Sequence, residues 1–82
     1  MSSFYYVYIL ISEKYLNKHY TGLTTNLKKR LKKHNSGEVP YTSKFKPWKI
    51  ETVISFRNKD KAATFEKYLK SHAGRAFASK HF

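Results

Sequence analysis

Residues 4–11 read FYYVYILI, aromatic or β-branched everywhere except Leu10 and free of polar alternation. Such a run is too short for a buried helix and too apolar on both sides for a half-exposed strand, so it predicts a strand at the centre of a sheet. Within it Tyr6, Tyr8 and Leu10 share one face, and Tyr5, Val7, Ile9 and Ile11 the other. SEKYLNK follows as a turn. Residues 19–23 then read as a short second strand running back antiparallel to the first, which brings Tyr20 close to Tyr8.

After Gly22 the period lengthens. Thr24, Thr25 and Asn26 offer N-cap side chains for a helix over 27–35. At about 100° per residue, Leu27, Arg30, Leu31 and His34 fall in one sector roughly 100° wide. Lys28, Lys29, Lys32 and Lys33 take the other side. Asn35, Ser36 and Gly37 stop the helix, Gly37 being suited to a left-handed C′ position. Residues 38–48, rich in Thr, Ser and Lys and broken by Pro40 and Pro47, predict an irregular basic loop.

Residues 48–56 alternate as a third strand, with Ile50, Ile54 and Phe56 on one side and Val53 on the other. Asn58 or Asp60 starts a second helix, where an acidic side chain suits the positive end. Across 62–73, Ala62, Phe65, Leu69 and Ala73 form an apolar stripe with Glu66 in its midst. Residues 74–82 predict a short helix packed on the sheet. Both long helices therefore turn charged or titratable groups inward, where leucines would be the stable choice.

Length and charge narrow the reason. A chain of 82 residues predicts one domain over 1–82, close to the size at which a single core only just suffices. Seven Tyr and six Phe must supply much of that core. With no cysteine, disulfides, thiolate nucleophiles and Cys-based zinc sites are excluded. The start, MSSFYYVYILIS, lacks a basic n-region and a long enough apolar run, so it predicts neither signal peptide nor membrane span. Seventeen Lys plus Arg against five Asp plus Glu leave +12, which seeks polyanions. Nucleic acid is the first candidate partner. A membrane surface fits less well, since neither helix has a large apolar face with aromatic anchors free for lipid.

Two tyrosines on adjacent strands, an Arg and a His one helical turn apart, and an inward Glu suit one chemistry. Phosphodiester hydrolysis needs an activated water, a cation on the developing charge and usually a metal held by few carboxylates. Arg30 would hold the phosphate through its planar fork, Glu66 would bind one hydrated Mg²⁺, and Tyr8, helped by Tyr20 or His34, would take the proton from water. A free tyrosine, with a pKa of roughly 10, is a poor base, so a neighbouring cation or imidazole must assist it. Each residue alone has a plainer reading. Tyr8 and Tyr20 can be core aromatics, Arg30 and His34 can snorkel at the helix edge, and Glu66 can be a structural ion pair with Arg30. Lys28, Lys29, Lys32 and Lys33, with Lys44, Lys46 and Lys49 of the loop and third strand, can be a solvated face or can track phosphates without reading bases.

The order Tyr6-Val7-Tyr8, Tyr20-Thr21-Gly22, Arg30 with His34, then Glu66, resembles the GIY-YIG nuclease superfamily. It is similar in particular to small stand-alone bacterial members related to the N-terminal nuclease module of UvrC, over residues 5–77. The resemblance implies an α+β fold, a three-stranded antiparallel sheet flanked by helices. It also implies hydrolysis of DNA by a one-metal mechanism, with Mg²⁺ or Mn²⁺ on Glu66, in a bacterial cytoplasm and in the service of DNA repair or recombination. By the same likeness Tyr8 is the base, Tyr20 its hydrogen-bonding partner, Arg30 the stabiliser of the transition state and His34 the aid to proton transfer. The chain departs from the pattern at Tyr6 (glycine in the motif), Thr21 (isoleucine) and Leu23 (lysine in UvrC-like members). No asparagine of the tail matches a late family asparagine, and Ser71, His72 and Ser79 stand there instead. Structure-selective cutting by a monomer or weak dimer is the expectation. The rival is a noncatalytic basic protein that binds DNA, or RNA, on the same scaffold. A pure protein-interaction module explains the charge least well.

Overall fold

Val7, Tyr8, Ile9 and Leu10 are consecutive and all buried, which a strand achieves only when both its faces are covered. They belong to β1 (Tyr5–Ser12), the middle strand of a three-stranded sheet in a computed structural model that describes residues 3–82. Met1 and Ser2, the first residues of the stretch read as carrying no targeting signal, lie outside it. Strands β2 (His19–Thr24) and β3 (Trp48–Phe56) flank β1, each antiparallel to it. The helices are α1 (Leu27–Ser36), α2 (Pro40–Ser43), α3 (Lys59–Leu69) and α4 (His72–His81). This is the α+β arrangement that the resemblance implied.

The two sheet faces carry different loads. Val7 and Ile9 pack with Ala62 and Leu69 of α3 on one face, and Tyr8 and Leu10 with Trp48 on the other, where Leu27 and Leu31 of α1 close the layer. No helix of the described residues is long and apolar enough to cross a membrane.

Three expectations are corrected. Ile9 pairs with Thr52 but Leu10 with Ile50, so Glu51 is an extra residue in β3. A bulge of this kind reverses the in–out alternation. Ile50 therefore shares the face of Leu10 while Ile54 and Phe56 share that of Val7 and Tyr5, and strict alternation grouped them wrongly. Second, the helix read over 62–73 ends at Leu69, because Ser71 Oγ accepts the Gly74 N–H at 3.1 Å and caps a new helix. Ala73 is exposed on α4 and takes no part in the stripe. Third, α4 packs chiefly on α3. Gly74 lies so close to the Tyr68 carbonyl that a Cβ there would collide with it, and Phe77 meets Tyr68 edge-on at 6.1 Å between centroids. Ala78 alone of α4 reaches the cluster under the sheet.

Candidate active site

Helix α1 is positioned at both ends. Asn26 accepts the Lys29 N–H at 3.0 Å as N-cap, and Gly37, at φ 86°, takes the left-handed turn that ends the helix. Asn35, read from the sequence only as a stop signal, does more. Its amide donates to the Trp48 carbonyl at 3.0 Å and its Oδ1 accepts the Trp48 N–H at 2.6 Å, which clamps the end of α1 to the start of β3. The inward stripe is the one the period predicted, and His34, at its end, has 0% of its surface exposed.

A directional chain of hydrogen bonds starts from that histidine. The Thr42 hydroxyl donates to the Val39 carbonyl at 3.2 Å, so toward His34 Nδ1, 2.9 Å away, it accepts. A hydroxyl has one proton to give. His34 therefore carries its hydrogen on Nδ1 and offers a bare Nε2, to which the Tyr8 hydroxyl, at 3.1 Å, donates. Arg30 Nε donates in turn to the Tyr8 oxygen at 3.2 Å. Thr42 is itself fixed, since its carbonyl accepts the Trp48 Nε1–H at 2.8 Å. The sequence places Thr42 in an irregular loop. Pro40 at the first helical position in fact sets the short turn α2, which buries Thr42 against His34.

The electrostatics follow from burial. Burial, and then the Arg30 charge, hold the His34 imidazole below its ordinary 6.5, so it is neutral and able to accept. Burial pushes the Tyr8 phenol above 10.0, with the hydrogen bond and charge of Arg30 pulling the other way. Arg30 is held more firmly protonated, chiefly by its hydrogen bond to Tyr8 and further by Tyr20.

Gly22 and Tyr20 complete the pocket from β2. Gly22 stands opposite Tyr8 in the sheet, and a Cβ on it would collide with the Tyr8 hydroxyl and ring. The glycine is the space in which Tyr8 lies. Tyr20 lies on the same face, its ring 4.7 Å from His34 and 6.4 Å from Tyr8 between centroids.

A family model described as the GIY-YIG catalytic domain matches residues 4–79. The chain belongs to the GIY-YIG family. Among its relatives, the UPF0213 protein YsiG of Lactococcus lactis is 43% identical over 68 residues, covering 80% of this chain and 62% of that one. The structure-specific endonuclease subunit SLX1 homolog of Drosophila persimilis is 39% identical over 72 residues, covering 77% of this chain. This chain spans only 25% of the length of that fly protein. The solution structure of a UPF0213 protein from Bacillus halodurans superposes with a TM-score of 0.57 at 31% identity, covering 94% of this chain and 83% of that one.

In this GIY-YIG chain the glutamate comes from the other layer. Glu66, on α3, has a side chain 20% exposed, and its Oε2 lies 2.7 Å from Lys70 Nζ one turn on. That contact corrects the ion pair with Arg30 considered from sequence: Glu66 pairs with Lys70, and it is Arg30 Nε that bonds Tyr8. Lys70 Nζ also lies 6.0 Å from the Tyr20 ring centroid, and the Glu66 charge acts on Tyr8. The structure thus joins Tyr8, Arg30 and His34 by hydrogen bonds, packs the tilted Tyr20 ring against them and brings Glu66 to their margin. Among the described residues no three His, Asp or Glu gather into a metal cage, so a cation here would rest on Glu66 with water and substrate oxygens. Lys28, Lys29, Lys32, Lys33, Lys44, Lys46 and Lys49 are all exposed, and among the described residues none forms a salt bridge. They lie outside the hydrogen-bonded chain.

Proposed function

We propose that this protein is a metal-dependent endonuclease that hydrolyses phosphodiester bonds of DNA, choosing its substrate by shape, and that it serves DNA repair or recombination in a bacterial cytoplasm. The observation that carries the reading is the directed chain Arg30, Tyr8, His34, Thr42 within a GIY-YIG domain. The Tyr8 oxygen has a second lone pair beside the one that Arg30 occupies. A water admitted there with the substrate would give a proton to the Tyr8 oxygen as Tyr8 passes its own to His34 Nε2. The hydroxide attacks phosphorus, the P–O bond to the departing sugar breaks, and that oxygen takes its proton from solvent water. Because the buried phenol resists ionisation, this concerted transfer suits Tyr8 better than a standing phenolate. Nδ1–H remains on Thr42 throughout, so the imidazolium that forms keeps both its hydrogens bonded. The guanidinium NH₂ groups of Arg30, beyond the Nε that holds Tyr8, are the donors for the phosphate oxygens on which charge develops.

Glu66 would hold a hydrated Mg²⁺ or Mn²⁺, which polarises a phosphate oxygen and makes its bound water more acidic. One carboxylate suits Mg²⁺, which keeps several waters and shares substrate phosphates. The Lys70 ammonium pairs with that carboxylate, so a metal ion would have to displace it from Glu66. The description of the fly relatives as structure-specific endonuclease subunits favours recognition of nucleic-acid structure over a fixed base sequence.

The test is nicking of supercoiled and branched DNA in Mg²⁺ or Mn²⁺ by the wild type, Arg30→Ala and Glu66→Ala. Both variants should keep the wild-type circular dichroism and lose cleavage, by about 10²–10³-fold for the arginine. A wild type that binds DNA with steep salt dependence but cuts none of it would favour the noncatalytic rival.

A further inference from the structure

A second feature opens beside the site. An open groove of about 780 Å³ runs along β2, sharing Tyr20 and Lys70 with the site and reaching Arg75 of α4. Lys18 and Arg75 put positive charge on its walls against the single carboxylate of Glu51, the Lys70 ammonium being paired with Glu66, while Leu69 and Ala78 give it an apolar floor. Tyr41 stands at its side with 60% of its surface exposed.

Tyr41 is exposed yet held in place. The next residue, Thr42, is buried and bonded to His34 and Trp48, so the backbone of α2 has little freedom. The Tyr41 ring lies 6.3 Å from Tyr20 and 6.0 Å from Phe45 between centroids, and Tyr20 touches His34. An aromatic ring thus stands one contact removed from the reacting groups, beside a cationic groove, and is left open to solvent.

We propose that this groove seats unpaired nucleotides of the substrate, with a base stacked on Tyr41 and the backbone running past Lys18 and Arg75. The proposal rests on the nucleic-acid part of the function proposed above. Charge alone would accept a duplex as readily. A duplex, however, shows its phosphates outside and keeps its bases stacked within, so an apolar floor and an open aromatic face have nothing to grip on it. An unpaired strand presents both the charge and the base faces, and aromatic platforms in basic grooves bind it without regard to sequence. The preferred substrate is therefore DNA with a single-stranded arm at or next to the scissile bond.

The experiment is a fluorescence-anisotropy titration without metal, so that nothing is cut. It uses an oligothymidylate, a paired duplex and the same duplex ending in a fork, with wild type, Tyr41→Ala, Tyr41→Phe and Arg75→Ala. Tyr41→Ala should lose about tenfold in affinity for the single strand and the fork while duplex binding stays within about twofold, and Tyr41→Phe should bind like the wild type. Arg75→Ala should weaken fork binding and lower its log-log salt slope by about one. An equal loss on fork and duplex, no loss with Tyr41→Ala, or a wild type indifferent to the single strand overturns the proposal. Parallel nicking assays separate the two readings. Cleavage without the Tyr41-dependent preference removes the groove and leaves the nuclease, and the preference without cleavage does the reverse.

Discussion

His34 is a titratable side chain sealed from solvent, and it sits there neutral with a hydrogen-bond partner on each nitrogen. Its folded pKa lies below the ordinary 6.5, so between those two values the unfolded chain takes up a proton that the folded one refuses. The stability tied to a neutral His34 is whole above pH 6.5 and is lost as the pH falls through the folded value. In thermal melts across that range, the gap in melting temperature between wild type and His34→Gln should narrow as pH falls, and a constant gap would contradict the assignment. The cleavage rate should likewise hold below pH 6.5 before it drops, since a protonated Nε2 cannot accept from Tyr8. Thr42 tests the same chain one bond further on. Thr42→Val leaves the Nδ1–H buried without an acceptor and should destabilise by about 1–3 kcal/mol. It should also change the imidazole nitrogen shifts that report the tautomer. Thr42→Ser keeps the hydroxyl and should restore both.

At the scale of elements, Gly22 shows how a strand serves a site. A side chain there would occupy the space of the Tyr8 hydroxyl, which itself bonds His34 and Arg30, so Tyr8 cannot shift freely. Gly22→Ala should cost about 1–3 kcal/mol by overpacking and lower the melting temperature by roughly 4–8 °C for each kcal/mol. An unchanged melting temperature would mean that the ring has room to move.

Local signals are legible where they act locally: the run of β1, the stripe of α1, the Asn26 cap and the Gly37 turn all rest on near neighbours. Sequence misleads where a distant partner decides. Asn35 looks like a helix stop because asparagine, serine and glycine follow one another, yet its amide is set by a backbone 13 residues away. Thr42 carries no period or motif, and its role exists only once α2 lies against α1. The bulge at Glu51 is invisible to alternation, because only pairing with β1 defines which residue is extra. Of the candidate site, Tyr8, Tyr20, Arg30 and His34 converge because strand register and helix period were both legible. The partner of Glu66 was not, since a lysine one turn on was closer to hand than Arg30.

For the molecule as a whole, +12 on 82 residues makes binding to any polyanion a function of salt. The four lysines of the outer face of α1 and the three of the loop and β3 stand free of salt bridges among the described residues, so each can release a counterion from a phosphate. Neutralising Lys28, Lys29, Lys32 and Lys33 together should flatten the log-log salt dependence of duplex affinity by about 0.9 for each phosphate that no longer meets a cation. A slope that does not change would assign that face to solvation alone. On the proposed function the charge would draw substrate to the surface, the groove along β2 would take what is unpaired, and the reaction would rest on one oxygen.

That oxygen is therefore what to remove. Tyr8→Phe keeps the ring over Gly22 and the packing of β1, and deletes only the hydroxyl that bonds Arg30 and His34. Single-turnover cleavage of a branched DNA in Mg²⁺ should fall by about 10²–10⁴-fold, the range of a general acid–base group, with DNA affinity unchanged. Cleavage at the wild-type rate by Tyr8→Phe would contradict the account.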